Sequence, residues 1–226
     1  MITLTPTQLQ RLNSLTFIAG VGHPTSNGHT ACLMSAAALV VAIENNDEAG
    51  YQETDQLQCV CSVIRKLGII INDSFQNKEQ RKKWAIDTIP KIIGTNISHE
   101  VKQKRAYACA DAAVRKYAVA ALLKAGLQSE ADKLAALDPI INQKTCNIAK
   151  KAASASYAAS YAAADASNAA YAASYAASYD DAASDAAAAY ASRAAAYAAD
   201  DVADVADASK ITILQELLDT CLAITE

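Results

Sequence analysis

The sequence predicts an all-α protein, and three observations carry that prediction. All seven glycines and all four prolines precede residue 140, apolar residues recur at helical spacing in segment after segment, and no stretch alternates apolar with polar residues long enough to make a sheet. The chain is expected to divide into a helical head domain over residues 1–140, an alanine-rich helical repeat over 141–208 and a C-terminal amphipathic helix over 209–226.

In the head, Thr5-Pro6-Thr7-Gln8 supplies an N-cap, a proline in the first turn and a capping-box glutamine, so a helix to about Ala19 is predicted. Gly20 to Gly28 reads as a loop, and a helix follows from Thr30 with Leu33, Ala37, Val40 and Val41 on one face. After a polar loop over 45–53, Leu57, Val60, Cys61, Ile64, Leu67 and Ile71 repeat as a buried helix face that runs through Gly68. A helix over 78–93 is expected to bend or restart at Pro90 and to end at Gly94, a glycine suited to a C-cap. Ser98 to Ala125 reads as one long helix closed by Gly126, and a short helix opening at Ser129 stops before Pro139.

The tail is built differently. At 100° per residue, Tyr157, Tyr161, Tyr171, Tyr175, Tyr179, Tyr190 and Tyr197 fall within about ±60° of one direction, with serines beside them and alanines opposite. The underlying repeat is close to eleven residues, which predicts a nearly straight or slightly right-handed arrangement. A continuous helix from Asn142 to Ala208 would be on the order of 100 Å long; a break at Asp180-Asp181 or Asp200-Asp201, both able to N-cap, would fold it back as a hairpin. Alanine buries little area, so this segment is expected to dock on the head or to self-associate into a homo-oligomer. Ile211, Leu214, Leu218 and Leu222 mark a terminal helix packed into a core.

Charge and composition narrow the function. Residues 1–150 hold 17 Lys/Arg against 13 Asp/Glu, and residues 151–226 hold 3 against 11. An acidic tail repels phosphate backbones, so duplex nucleic acid is not an expected partner. The longest apolar run, Ala36 to Ile43, is too short to span a bilayer, and the N-terminus carries no secretory leader, so a cytoplasmic location without membrane contact is expected. The six cysteines are scattered in apolar helical contexts and read as buried thiols.

Three constellations carry chemistry. His23, His29 and Cys32 lie near one another with Cys59 and Cys61 downstream, but no second Cys-x-x-Cys pair completes a metal site, and neither metal nor cofactor is expected. The same residues leave a small hydrolase as an alternative, with His29 as base to Cys32. On the helix over 98–125, Val101, Ala108, Ala112, Val119 and Leu122 define an apolar face, with Arg105 and Arg115 on the same half and Asp111 at its edge. Asp111 and Arg115 at i, i+4 make either a structural ion pair or part of an anion pocket, to which Asn72, Asp73 and Thr95 could add hydrogen bonds. The tyrosine ladder is read as packing rather than nucleobase stacking, because aspartates surround it.

Several segments of the head resemble a family of uncharacterised phage and actinobacterial proteins. They are Gly28-His-Thr-Ala-Cys-Leu-Met-Ser-Ala36, Cys61-Ser-Val-Ile64, Asn72-Asp73-Ser74, Ile89-Pro90 with Ile93-Gly94-Thr95, Asp111 with Val114-Arg115, Ala125-Gly126-Leu127 with Glu130-Ala131, and Leu134-Ala-Ala-Leu137. The likeness covers roughly residues 28–140, and that family also carries an alanine-rich tail, with tryptophan and arginine where this chain has tyrosine and serine. The resemblance implies a viral or mobile-element setting and adds weight to Ser35, Asn72, Asp73, Thr95, Arg105, Asp111 and Arg115 as a shared polar set. Together these features lead to the expectation of a non-enzymatic, phage-type counter-defence protein that sequesters a small anionic ligand such as a signalling nucleotide. The alternative is a protein–protein inhibitor or scaffold acting through the alanine–tyrosine helix.

Overall fold

Thr5 opens the first helix, α1 (Pro6–Ser14), as its residue types require: its side chain accepts from the Gln8 backbone N–H, and the Gln8 side chain accepts from the Thr5 backbone N–H. Gln8 Nε2 then donates to Val40 O at 3.0 Å, so the capping residue also ties α1 to the helix after it. The computed structural model describes residues 2–19, 30–47, 56–160, 168, 171–173, 175–176, 181–199 and 206–226. They form an all-α fold in two compact units, Met1–Ile97 and Ser98–Glu226.

In the first unit α1 stops at Ser14, short of the expected Ala19. The chain turns extended at Leu15, and Thr16–Phe17 (β1) pairs in parallel with Thr30–Ala31 (β2). The run Leu15-Thr16-Phe17-Ile18 tolerates extended backbone after Asn13-Ser14, and the pairing with Thr30–Ala31 selects it over continued helix. The predicted loop over 20–28 lies outside the described residues. α2 (Leu33–Glu44) is buried at every residue from Leu33 to Val40, so it forms the unit's central helix. α3 (Ser62–Ser74) buries Ile64, Leu67 and Ile71 on the expected face. At Gly68 a Cβ would come 2.8 Å from Leu33 Cδ2, so any larger residue there would displace the buried Leu33 side chain between α3 and α2. α4 (Lys78–Ile92) runs through Pro90 without the expected break. Pro90 lies two residues from the helix end, where one lost N–H bond costs little continuity. Gly94, at φ +79°, adopts the left-handed conformation expected after a helix.

In the second unit Ser98 caps α5 (His99–Asp111) by accepting from Val101 N–H. The helical path continues through a π-helical segment (Ala112–Ala118) into α6 (Val119–Lys124). It closes at Gly126 (φ +76°) with the paired Leu127→Leu122 and Gly126→Leu123 backbone bonds of a Schellman turn. α7 (Gln128–Ala135) follows, then α8 (Gln143–Ser160), α9 (Asp181–Ala199) and α10 (Ala206–Ala223). The composition boundary near residue 140 therefore falls inside this unit, because alanine-rich α9 packs on α5, the π-helical segment and α10.

The tail folds back on itself. The Tyr171 and Tyr175 rings stack on Tyr190 at centroid distances of 5.0 and 5.4 Å. In a straight helix residues 19 apart would be roughly 28 Å apart, so the chain reverses between 175 and 190. Cys146 Sγ donates to Ala173 O at 2.8 Å, which requires a second reversal between 146 and 173. The alanines turn inward: Ala172, Ala173, Ala176, Ala187, Ala188, Ala191, Ala194 and Ala195 are all fully buried, while Tyr171 is half exposed. Of the tyrosine ladder only Tyr171, Tyr175 and Tyr190 have described side chains; Tyr157, Tyr161, Tyr179 and Tyr197 lie outside that set. In α10 the buried residues are Leu214, Leu217, Leu218 and Cys221, with Ile211 and Leu222 at the margin.

Candidate ligand cleft

Most of α5 is buried. Beyond its first turns, where His99, Glu100 and Lys102 also reach solvent, the accessible residues Lys104, Ala108 and Asp111 continue into Ala112 and Arg115 as a stripe at i, i+4, i+7, i+8 and i+11. That stripe is the floor of two adjoining clefts in the second unit. One, of about 630 Å³, is bounded by Lys104, Tyr107, Pro139, Ile140, Ile141 and the segment Ala223–Glu226. The other, of about 390 Å³, is bounded by Arg115, Lys116, Tyr117, Glu216 and Thr220. Ala108 and Asp111 line both, and the small Ala108 side chain leaves the floor low between them.

Asp111 organises the junction. Its Oδ1 accepts from Ile140 N–H at 2.9 Å and from Arg115 Nη1 at 3.1 Å, which holds the Pro139–Ile141 wall and the arginine fork in one place. Arg115 stands on the π-helical segment, a local widening that recurs at functional sites. Its Nε is buried and has no hydrogen-bond partner among the described residues, although the side chain as a whole is 29 % exposed. Lys116 Nζ lies 2.8 Å from Glu216 Oε2, a solvent-exposed pair worth little on its own. Lys104 Nζ reaches Glu226 O at 2.5 Å across the larger cleft. Burial raises the Tyr117 hydroxyl well above the ordinary phenol range, and the nearby Cys109, Glu216 and Cys221 add to the effect. Tyr117 therefore lines the smaller cleft as a neutral group.

The sequence groups Arg105 with Arg115, and the structure separates their roles. Arg105 is 1 % exposed; its Nε donates to Cys221 O at 2.9 Å and its Nη2 to Ile224 O at 2.8 Å. These carbonyls end α10, where helical bonding runs out and the dipole is negative, so Arg105 acts as a side-chain cap for the last helix. Arg105 is absent from both cleft linings.

Four predicted site residues, Ser35, Asn72, Asp73 and Thr95, lie in the first unit, in hydrogen bonds within and between its elements. Ser35 is buried, with its Oγ 3.4 Å from Cys32 Sγ, and Cys32 accepts from Ser35 N–H as the N-cap of α2. Asn72 Nδ2 donates to Ile18 O and to Asp73 Oδ1, and Asn72 O accepts from Arg81 Nε. Thr95 Oγ1 donates to Ile92 O and accepts from Cys61 N–H, joining the end of α4 to the start of α3. His23 and His29 lie outside the described residues. Among the described residues no group of three or more His, Cys, Asp or Glu side chains could hold a metal. No helix there is long and apolar enough to cross a membrane.

Lys104, Tyr107, Ile140, Ile141 and Lys116 were not singled out from the sequence. The stripe Lys104-Ala108-Asp111-Arg115 was present as a signal, at the spacing that places residues over one another on a helix. No protein-family model, curated protein or solved structure matches the chain.

Proposed function

We propose that the protein is a non-catalytic binder of a small anionic ligand, seated over Asp111 and Arg115 in the second unit. The observation that carries this reading is the buried Arg115 Nε without a partner, on a guanidinium that Asp111 already holds in place at the edge of a cleft. A guanidinium fork prefers two parallel acceptors, and a phosphate or carboxylate supplies them. Lys116 and Lys104 add positive charge on either side, while Tyr107, Pro139, Ile140 and Ile141 offer an apolar wall. The clefts have the size of small-molecule sites, and an anionic head on a flat apolar body fits this lining better than inorganic phosphate.

A nucleotide has that chemistry. With the phage-type resemblance, the proposal extends to sequestration of a signalling nucleotide as a counter-defence activity in a host cytoplasm. Titration calorimetry of cyclic and linear nucleotides into the full chain tests it. Micromolar binding to at least one, lost in Arg115→Met, supports the reading, and silence across the whole panel removes it. The competing reading of a docking rod is less favoured by the burial of the described tail alanines from Ala172 to Ala195 within their own unit. Among the described tail side chains, Tyr171 is half exposed and could meet a second copy.

A further inference from the structure

Cys109 on α5 and Cys221 near the end of α10 bring their sulfurs to 3.7 Å, and both side chains are fully buried. Their backbones are already fastened beside each other. Arg105 Nε donates to Cys221 O, Cys221 Sγ approaches Arg105 O at 3.8 Å, and Arg105 Nη2 holds Ile224 O. A disulfide is about 2.05 Å long, so the sulfurs would have to close by roughly 1.7 Å.

We propose that Cys109 and Cys221 are an oxidant-dependent modification site, a thiol pair that closes to a reversible disulfide and locks the last helix onto α5. The inference goes beyond the ligand reading and does not rest on it. The structure holds the pair as thiols. Access runs through the end of α10: Cys221 lies two residues before that end, the residues after it are half-buried or exposed, and local opening of this end against the Arg105 hydrogen bonds exposes the pair.

With a small-molecule disulfide as oxidant, the Cys221 thiolate attacks one of its sulfurs and expels the first small thiolate. The Cys109 thiolate then attacks Cys221 Sγ, breaks the mixed disulfide and expels the second. The protein thiols give up two protons and two electrons, and the oxidant leaves as two thiols. The closed latch also fixes the Ala223–Glu226 segment, which is one wall of the larger cleft.

Incubating the full chain with oxidised glutathione, alkylating under denaturing conditions and mapping the peptides tests the proposal. The expected product is an intramolecular Cys109–Cys221 cross-link, with Cys32, Cys59, Cys61 and Cys146 alkylated. Melting temperature should rise on the order of 5–10 °C, reversed by dithiothreitol, because the bond closes a loop of over a hundred residues. Cys221→Ser should abolish the rise; the wild-type peptide map decides the question even if that variant folds poorly. Recovery of both Cys109 and Cys221 as alkylated thiols, or cross-links only to other cysteines or between chains, overturns the proposal. Failure of every nucleotide to bind would leave this result untouched.

Discussion

The two units solve the same packing problem with different side chains. In the first, helices meet through large aliphatic groups: Leu12, Leu33, Ile64, Leu67, Ile71, Ile89 and Ile92 are all fully buried. In the second, α9 contributes alanines, and the large buried groups sit mainly on its neighbours, at Val114, Leu122, Leu214 and Leu218. Alanine gives little burial energy but allows close backbone approach, so the second unit adds polar hooks onto helix carbonyls. Gln103 donates to Ala176 O, Cys146 to Ala173 O, and Arg105 to Cys221 O and Ile224 O. The first unit has such hooks as well: Gln8 donates to Val40 O, Asn72 to Ile18 O, and the buried Arg81 to Asn72 O, Phe17 O and Phe75 O, but there they supplement a core of large side chains. Where side chains are small, register is set by hydrogen bonds between side chains and backbone rather than by shape alone.

That comparison can be broken by substitution. Leu67→Ala in the first unit should cost about 3 kcal/mol through the cavity it leaves, read as a lower urea midpoint. Arg105→Met should cost about 3 kcal/mol in the second, because it strands the carbonyls at the end of α10. If Arg105→Met leaves the midpoint unchanged, Arg105 does not cap α10. In the alanine core the size rule reverses: Ala191→Leu should cost about 2 kcal/mol by overpacking, and a neutral or stabilising result would mean the helices are not closely apposed.

A smaller effect appears with pH. Burial pushes the Cys146 thiol up to about 12, with Lys150 acting weakly the other way. In the unfolded chain this thiol ionises near the ordinary 9.0, so the folded state keeps a proton that the unfolded state releases. Its contribution is complete below pH 9 and is lost as pH rises from 9 to 12. Melting temperature should therefore fall across that window, less steeply in Cys146→Ala; buried Tyr117 keeps the same sign at higher pH. The smallest stability effect belongs to Arg115→Met, under about 1 kcal/mol for a partly exposed pair.

What the sequence disclosed was local. The Thr5–Gln8 box, the Ser98 cap and the glycines at 94 and 126 were legible because each acts within one turn. The Ile64-Leu67-Ile71 face was legible because one side of α3 is buried. The end of α1 at Ser14 was not, because Thr16-Phe17 is extended through pairing with residues more than ten positions away. The role of Arg105 was hidden for a similar reason: α5 packs against both α9 and α10, so its apolar face was no guide to the stripe that lines the clefts. Asp111 and Arg115 were found together because their i, i+4 spacing is itself local, whereas Ile140 and Ile141 reach the site only through the fold.

The most direct test of the division between the two arginines is calorimetry of the nucleotide panel against wild type, Arg115→Met and Arg115→Lys at matched folded concentration. Binding in the wild type, its loss in Arg115→Met and partial recovery in Arg115→Lys are predicted, with the melting temperature nearly constant throughout. Equal binding by wild type and Arg115→Met would contradict the account.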